Sequence, residues 1–242
     1  MLSITPQIAQ SFAALLLAHM LADFVFQTNW MVAHKRKPQV LLLHAGIVFV
    51  LSTLALGGIW QVALPVAIAH LAIDAIKTWG LPNELRSSLT AFLSDQGAHL
   101  LTLLIAALWW PGAIEFGWWA NWAAIALPPA ILLSGYIAAV IAGGYVVGML
   151  TAKFEMPNNG LPDAGRMIGQ LERTMIFLLV LIDEPTGVGF LIAAKSILRF
   201  DAAKDDRKTS EYVIIGTLAS FAWALAMTFA TTALLEIVTP TP

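Results

Sequence analysis

Apolar runs long enough to cross a bilayer recur along almost the whole chain, and they restrict the fold more than any other feature. A helix needs roughly 20 predominantly apolar residues to span a hydrocarbon core of about 30 Å. Stretches at 8–26, 40–59, 62–79, 96–110, 122–150, 167–182, 188–200 and 212–238 reach or approach that length. In lipid every backbone N–H and C=O must find its partner within the segment, which selects helices for single runs of this kind. Composition agrees: 59% of the 242 residues are hydrophobic and only 12% are charged, where a soluble domain carries about a quarter. The expected fold is an all-α polytopic transmembrane helix bundle of about six to eight membrane segments. The segments 167–182 and 188–200 are short and read as a hairpin turning at Asp183-Glu184-Pro185. Such a hairpin crosses fully, enters partway or lies at the interface, and hydropathy does not choose among these.

Thirteen Lys plus Arg against fifteen Asp plus Glu give a formal charge of -2, so the basic surplus that nucleic-acid binding needs is missing. With no Cys, disulfides, thiolate nucleophiles and sulfur-ligated metals are excluded, and any metal must be held by His, Asp or Glu. The first apolar segment has no basic leader and runs on into His19 and Asp23, which reads as a retained helix rather than a cleavable signal.

Basic residues segregate. Lys35, Arg36 and Lys37, then Lys77 and Arg86, then Lys153 and Arg166, then Lys204, Arg207 and Lys208 all fall on alternate connections, and the intervening ones carry none. The positive-inside rule then places both termini outside the cytoplasm. Trp60, Trp109, Trp110, Trp118, Trp119 and Trp122 crowd the side without basic residues, as an interfacial aromatic belt does. The chain is expected to form one membrane domain, with residues 1–110 carrying the ionisable groups and 111–242 supporting them. Small residues at Gly135, Ala139, Gly143, Gly144 and Gly148 suggest close helix packing, within the chain or in an oligomer.

Titratable side chains at membrane depth are costly and mark functional sites by default. Here they are spaced by four: His19 and Asp23 (with Gln27 four further on), His70 and Asp74, and Asp95 and His99, with Lys77 three residues after Asp74 and His44 alone in the second segment. Residues at i and i+4 share a helix face. With helices alternating in direction, all of these groups come to one leaflet, the cytoplasmic one, which points to a single convergent site. Imidazole nitrogens and carboxylates suit zinc, and also manganese or iron, and the number of groups allows one or two ions. His19, Asp23, His44, His70, Asp74 and His99 are the expected ligands. Asp95 and Lys77 are the expected catalytic groups, as general base and as the cation that meets an anionic head group. The plainer reading of any one His-x-x-x-Asp is a hydrogen bond that holds the bundle together. His34, beside Lys35, Arg36 and Lys37, reads as part of a solvated loop, and Gln27 and Gln96 as either ligand-orienting or helix-end residues.

The stretches H-M-L-A-D-F-V-F-Q at 19–27, H-L-A-I-D-A-I-K at 70–77 and D-Q-G-A-H at 95–99 resemble a bacterial inner-membrane family known only as domain of unknown function 3307. G-R-M-I-G-Q-L-E-R at 165–173, A-A-K-S-I-L-R-F at 193–200 and E-Y-V-I-I-G-T-L at 211–218 extend that resemblance. More loosely, the first half is similar to inner-membrane metal-dependent hydrolases whose His-x-x-x-Asp spans are taken as metal ligands. The resemblance implies a metal-dependent hydrolase, and for a site in the cytoplasmic leaflet the leading expectation is hydrolysis of a lipid or lipid-linked substrate that enters from that leaflet. A cation or proton transporter using the same groups, and a non-catalytic metal-binding membrane protein, are the other expectations. Glu172, Arg173, Lys195, Arg199 and Glu211 read as an ion-pair network docking the hairpin, or alternatively as an anionic-lipid site formed by the three cations.

Overall fold

The computed structural model describes residues 5–154, 163–200 and 207–239, and among them every regular element is helical. Helix α1 (Pro6–Leu21) starts with Pro in its first turn and Thr5 as N-cap, whose side chain accepts from the Ile8 amide. It runs into a π-helical turn, Ala22–Phe26. A short α2 (Asn29–His34) leads to α3 (Pro38–Ala55), α4 (Trp60–Gly80), a single turn α5 (Asn83–Arg86) and α6 (Leu89–Trp109). Next come α7 (Ala123–Tyr136), a π-helical stretch (Ile137–Ala142) and α8 (Gly143–Thr151), followed by α9 (Ala164–Leu181), α10 (Thr186–Phe200) and α11 (Arg207–Val238).

Six helices among the described residues are long and apolar enough to cross a membrane: Pro6–Phe26, Pro38–Ala55, Trp60–Gly80, Leu89–Trp109, Ala120–Thr151 and Ser210–Val238. The protein is therefore a multi-pass helical membrane protein. α6 begins well before residue 96, where hydropathy alone placed its start, because Ser88 caps it by accepting from the Ala91 amide. Asp95 and His99 consequently sit inside the helix, and not at its mouth. The chain turns between α9 and α10 at Asp183, which adopts a left-handed conformation (φ 60°).

Two compact units divide the chain, 1–134 with 233–242, and 135–232. In the first, Ala9, Ala13, Leu15, Leu56, Val62, Val66, Leu103, Ile114 and Leu127 form the main buried cluster. Ala22, Val48 and Ala67 form a smaller one. The loops at one end are locked where Gly57 meets Gly117: the Trp118 amide donates to the Gly57 carbonyl at 2.9 Å. A Cβ on Gly57 would stand 2.8 Å from the Gly117 Cα, and its φ of +67° also favours glycine.

In the second unit, the π-helical stretch frees carbonyls from the regular ladder, and two side chains take them. Arg173 Nε donates to the Val140 carbonyl at 3.1 Å and Trp223 Nε1 to the Ala138 carbonyl at 2.9 Å. The Arg173 guanidinium also donates to Ser220 Oγ and lies against glycines, since a Cβ on Gly143, Gly144 or Gly169 would come within 3.2 Å of it. The docking network expected for this half is thus only partly ionic. Lys195 pairs with Glu172 at 2.7 Å, joining α10 to α9, whereas Arg173 serves backbone and hydroxyl. The side chain of Arg199, and residue Lys204, lie outside the described residues. Gly148 has nothing within 4 Å of its Cβ position; the close approaches belong to Gly135 (against Thr231) and Gly143.

Candidate metal centre

Each four-residue pair turns onto one face of its helix, and the helices of the first unit bring these faces together. His19 comes from the end of α1, Asp23 from the π-helical turn, His44 from α3, His70, Asp74 and Lys77 from α4, and Asp95, Gln96 and His99 from α6. The histidines and aspartates are buried, with side-chain exposures of 1% for His19, His44 and His99, 4% for His70, 2% for Asp74, 5% for Asp95 and 8% for Asp23. His34 stays outside the cluster: it is stacked on Trp30 and bonded to the Trp30 carbonyl.

Four atoms converge most closely. His44 Nε2 lies 3.0 Å from His70 Nε2 and 3.2 Å from Asp23 Oδ1. His70 Nε2 lies 3.4 Å from Asp23 Oδ1, and Asp74 Oδ2 is 3.6 Å from His44 Nε2 and 3.7 Å from His70 Nε2. Those five distances define two triangles that share the His44–His70 edge. Ligand bonds of about 2.0 to 2.2 Å around a tetrahedral ion give edges of about 3.3 to 3.6 Å.

The tautomers follow from the neighbours. Gln96 Nε2 donates to Asp23 Oδ2 at 3.1 Å, so its Oε1, 3.2 Å from His19 Nε2, must be the acceptor there. His19 then carries its proton on Nε2 and presents Nδ1 as a lone pair. That Nδ1 faces Asp23 Oδ1 at 3.9 Å, and neither atom has a hydrogen-bond partner. Asp74 Oδ2, Asp95 Oδ1 and both ring nitrogens of His99 are likewise buried without a partner. Buried polar atoms are nearly always satisfied, and acceptors that face one another without a proton between them are satisfied by a cation. Three groups meet the spacing a metal requires, with ligand atoms within 4.8 Å of one another: His19, Asp23 and His70; His44, His70 and Asp74; and Asp74, Asp95 and His99.

Two lysines edge the cluster. Lys77 Nζ donates to Asp95 Oδ2 and Lys35 Nζ to Asp74 Oδ1, each at 2.8 Å, with side-chain exposures of 21% and 19%. Lys77 was singled out from spacing on α4. Lys35, one member of a basic loop by sequence, is returned to the site by the break after the π-helical turn. Gln27 Nε2 lies 3.0 Å from His44 Nε2. Both glutamines therefore contact candidate ligands. The three buried carboxylates carry one more charge than the two ammonium groups offset.

A multi-pass helical membrane protein with a buried His/Asp cluster is the class these observations define. Residues 11–122 match the family model described as "Protein of unknown function (DUF3307)", and every group of the cluster falls inside that match. The resembling stretches at 165–173, 193–200 and 211–218 lie outside the matched residues. No curated protein and no solved structure matches the chain.

Proposed function

We propose that the first unit is a membrane-embedded metal centre and that the protein is a metal-dependent hydrolase of a lipid or lipid-linked substrate. The observation that carries this reading is the convergence of Asp23 Oδ1, His44 Nε2, His70 Nε2 and Asp74 Oδ2, with Asp23 and Asp74 each within 3.2 to 3.7 Å of a pair of imidazole nitrogens that are 3.0 Å apart. Zinc fits this nitrogen and oxygen set best, and manganese or iron is also accommodated. A divalent ion there supplies Lewis acidity and lowers the pKa of a water bound to it toward about 7.

The remaining residues have roles around it. Gln96 holds His19 and Asp23 in orientation, as hydrogen-bonded partners of ligands do. The partly exposed Lys35 and Lys77 form the positive edge at which an anionic head group is received. Exposed apolar side chains on the same segments, among them Val25, Phe26, Ile76 and Trp79, suit an approach from lipid. The segregation of the basic connections supports an orientation with this end of the bundle toward the cytoplasm of a bacterial inner membrane and both termini on the other side.

The test is purified protein, metal-loaded, incubated with membrane lipid extract and followed by mass spectrometry, beside proteoliposomes monitored for metal and proton flux. Consumption of a lipid that stops in His70→Ala supports the hydrolase. Flux without any lipid change identifies a transporter instead.

A further inference from the structure

We infer that the centre holds two divalent transition ions, bridged by the carboxylate of Asp74, with His99 and Asp95 as ligands of the second; this rests on the metal centre proposed above. Asp74 Oδ2 lies 3.6 and 3.7 Å from His44 and His70 Nε2, while its other oxygen, Oδ1, lies 3.9 Å from His99 Nε2. Asp95 Oδ1 lies 3.7 Å from the same His99 nitrogen. Both ring nitrogens of His99 and Oδ1 of Asp95 are buried with no hydrogen-bond partner, so α6 brings an unsatisfied imidazole and carboxylate oxygen beside the Asp74 oxygen that Lys35 holds.

The ring geometry sets the spacing. His70 and His99 stack with centroids 3.9 Å apart and an interplanar angle of 16°, and each directs Nε2 to a different oxygen of Asp74. Nearly parallel imidazoles that feed separate ions hold them about one ring spacing apart. Carboxylate-bridged two-metal hydrolytic sites keep their ions about 3.5 to 4 Å apart. Asp95, expected from sequence to be a general base, serves here as a ligand. The ammonium groups of Lys35 on Asp74 Oδ1 and Lys77 on Asp95 Oδ2 neutralise these carboxylates, and their flexible stems let them withdraw toward the exposed edge as a cation enters.

The full-length protein in detergent, stripped with chelator and titrated with Zn²⁺, is assayed for bound metal per chain, and a parallel Mn²⁺-loaded sample is examined by electron paramagnetic resonance. Two ions per chain are expected for the wild type, one for His99→Gln and for Asp95→Asn, and an exchange-coupled manganese signal in the wild type. The wild-type spectrum needs no variant to fold. One ion per chain in the wild type, unchanged in His99→Gln, with an uncoupled manganese signal, overturns the second position and leaves the single-ion centre standing. No bound metal at all overturns both.

Discussion

His44 and His70 point their Nε2 atoms at each other across 3.0 Å, and Asp23 Oδ1 stands 3.2 and 3.4 Å from the same two atoms. One shared proton can satisfy two of these atoms but not all three, and Asp74 Oδ2 closes on them as a fourth. The Gln27 amide can serve only His44 Nε2 from outside the group, whereas a cation at the centre would satisfy these atoms together. The pairing also joins α3 to α4, so the ion is expected to stabilise the fold as well as serve chemistry.

Gln96→Ala removes the group that orients both His19 and Asp23. Metal affinity is expected to fall by about 10- to 100-fold, the usual cost of losing a ligand's hydrogen-bonded partner, with helix content unchanged by circular dichroism. A chelator competition titration reads this directly; affinity equal to wild type would remove Gln96 from the centre.

Replacing Lys35 or Lys77 with Met should leave metal content intact, because an ammonium is not a ligand at neutral pH. Handling of an anionic substrate should weaken instead, as a raised KM with kcat less affected. A loss of metal in either variant would mean that the lysine holds the site's shape and not its substrate.

Metal binding should weaken as pH falls. His19, His44, His70 and His99 bind only as neutral imidazoles, so protons compete with the ion and occupancy decreases toward acid. Zn²⁺ titrations at several pH values check the sign, and occupancy rising toward acid would contradict imidazole ligation.

Much of the centre was legible because four-residue spacing is a local property: His19 with Asp23, His70 with Asp74 and Asp95 with His99 share helix faces whatever the tertiary fold. Convergence of those faces followed from alternating helix directions. Lys35 was hidden because its position depends on the π-helical turn at Ala22–Phe26 and the break at Gln27, which hydrophobic periodicity does not register. Arg173 was read as an ion-pairing residue for a related reason. Its partner is the Val140 carbonyl, freed by a second π-helical stretch that the uniformly apolar 122–150 segment does not announce.

Arg173→Ala should destabilise the second unit by about 3 kcal/mol, since it leaves a buried carbonyl and hydroxyl without their donor and a void beside Gly143 and Gly169. Thermal unfolding in detergent measures this, with metal content as the control. A melting temperature within experimental error of wild type would show that the guanidinium is not structural.

Metal content of the purified wild type set beside His70→Ala tests the central claim most directly, because His70 Nε2 lies 3.0, 3.4 and 3.7 Å from His44 Nε2, Asp23 Oδ1 and Asp74 Oδ2. The account predicts at least one zinc, manganese or iron ion per chain in the wild type after mild purification, and a clear loss in the variant while it remains folded. Wild-type protein that carries no such ion, and gains no thermal stability when zinc or manganese is added, would contradict it.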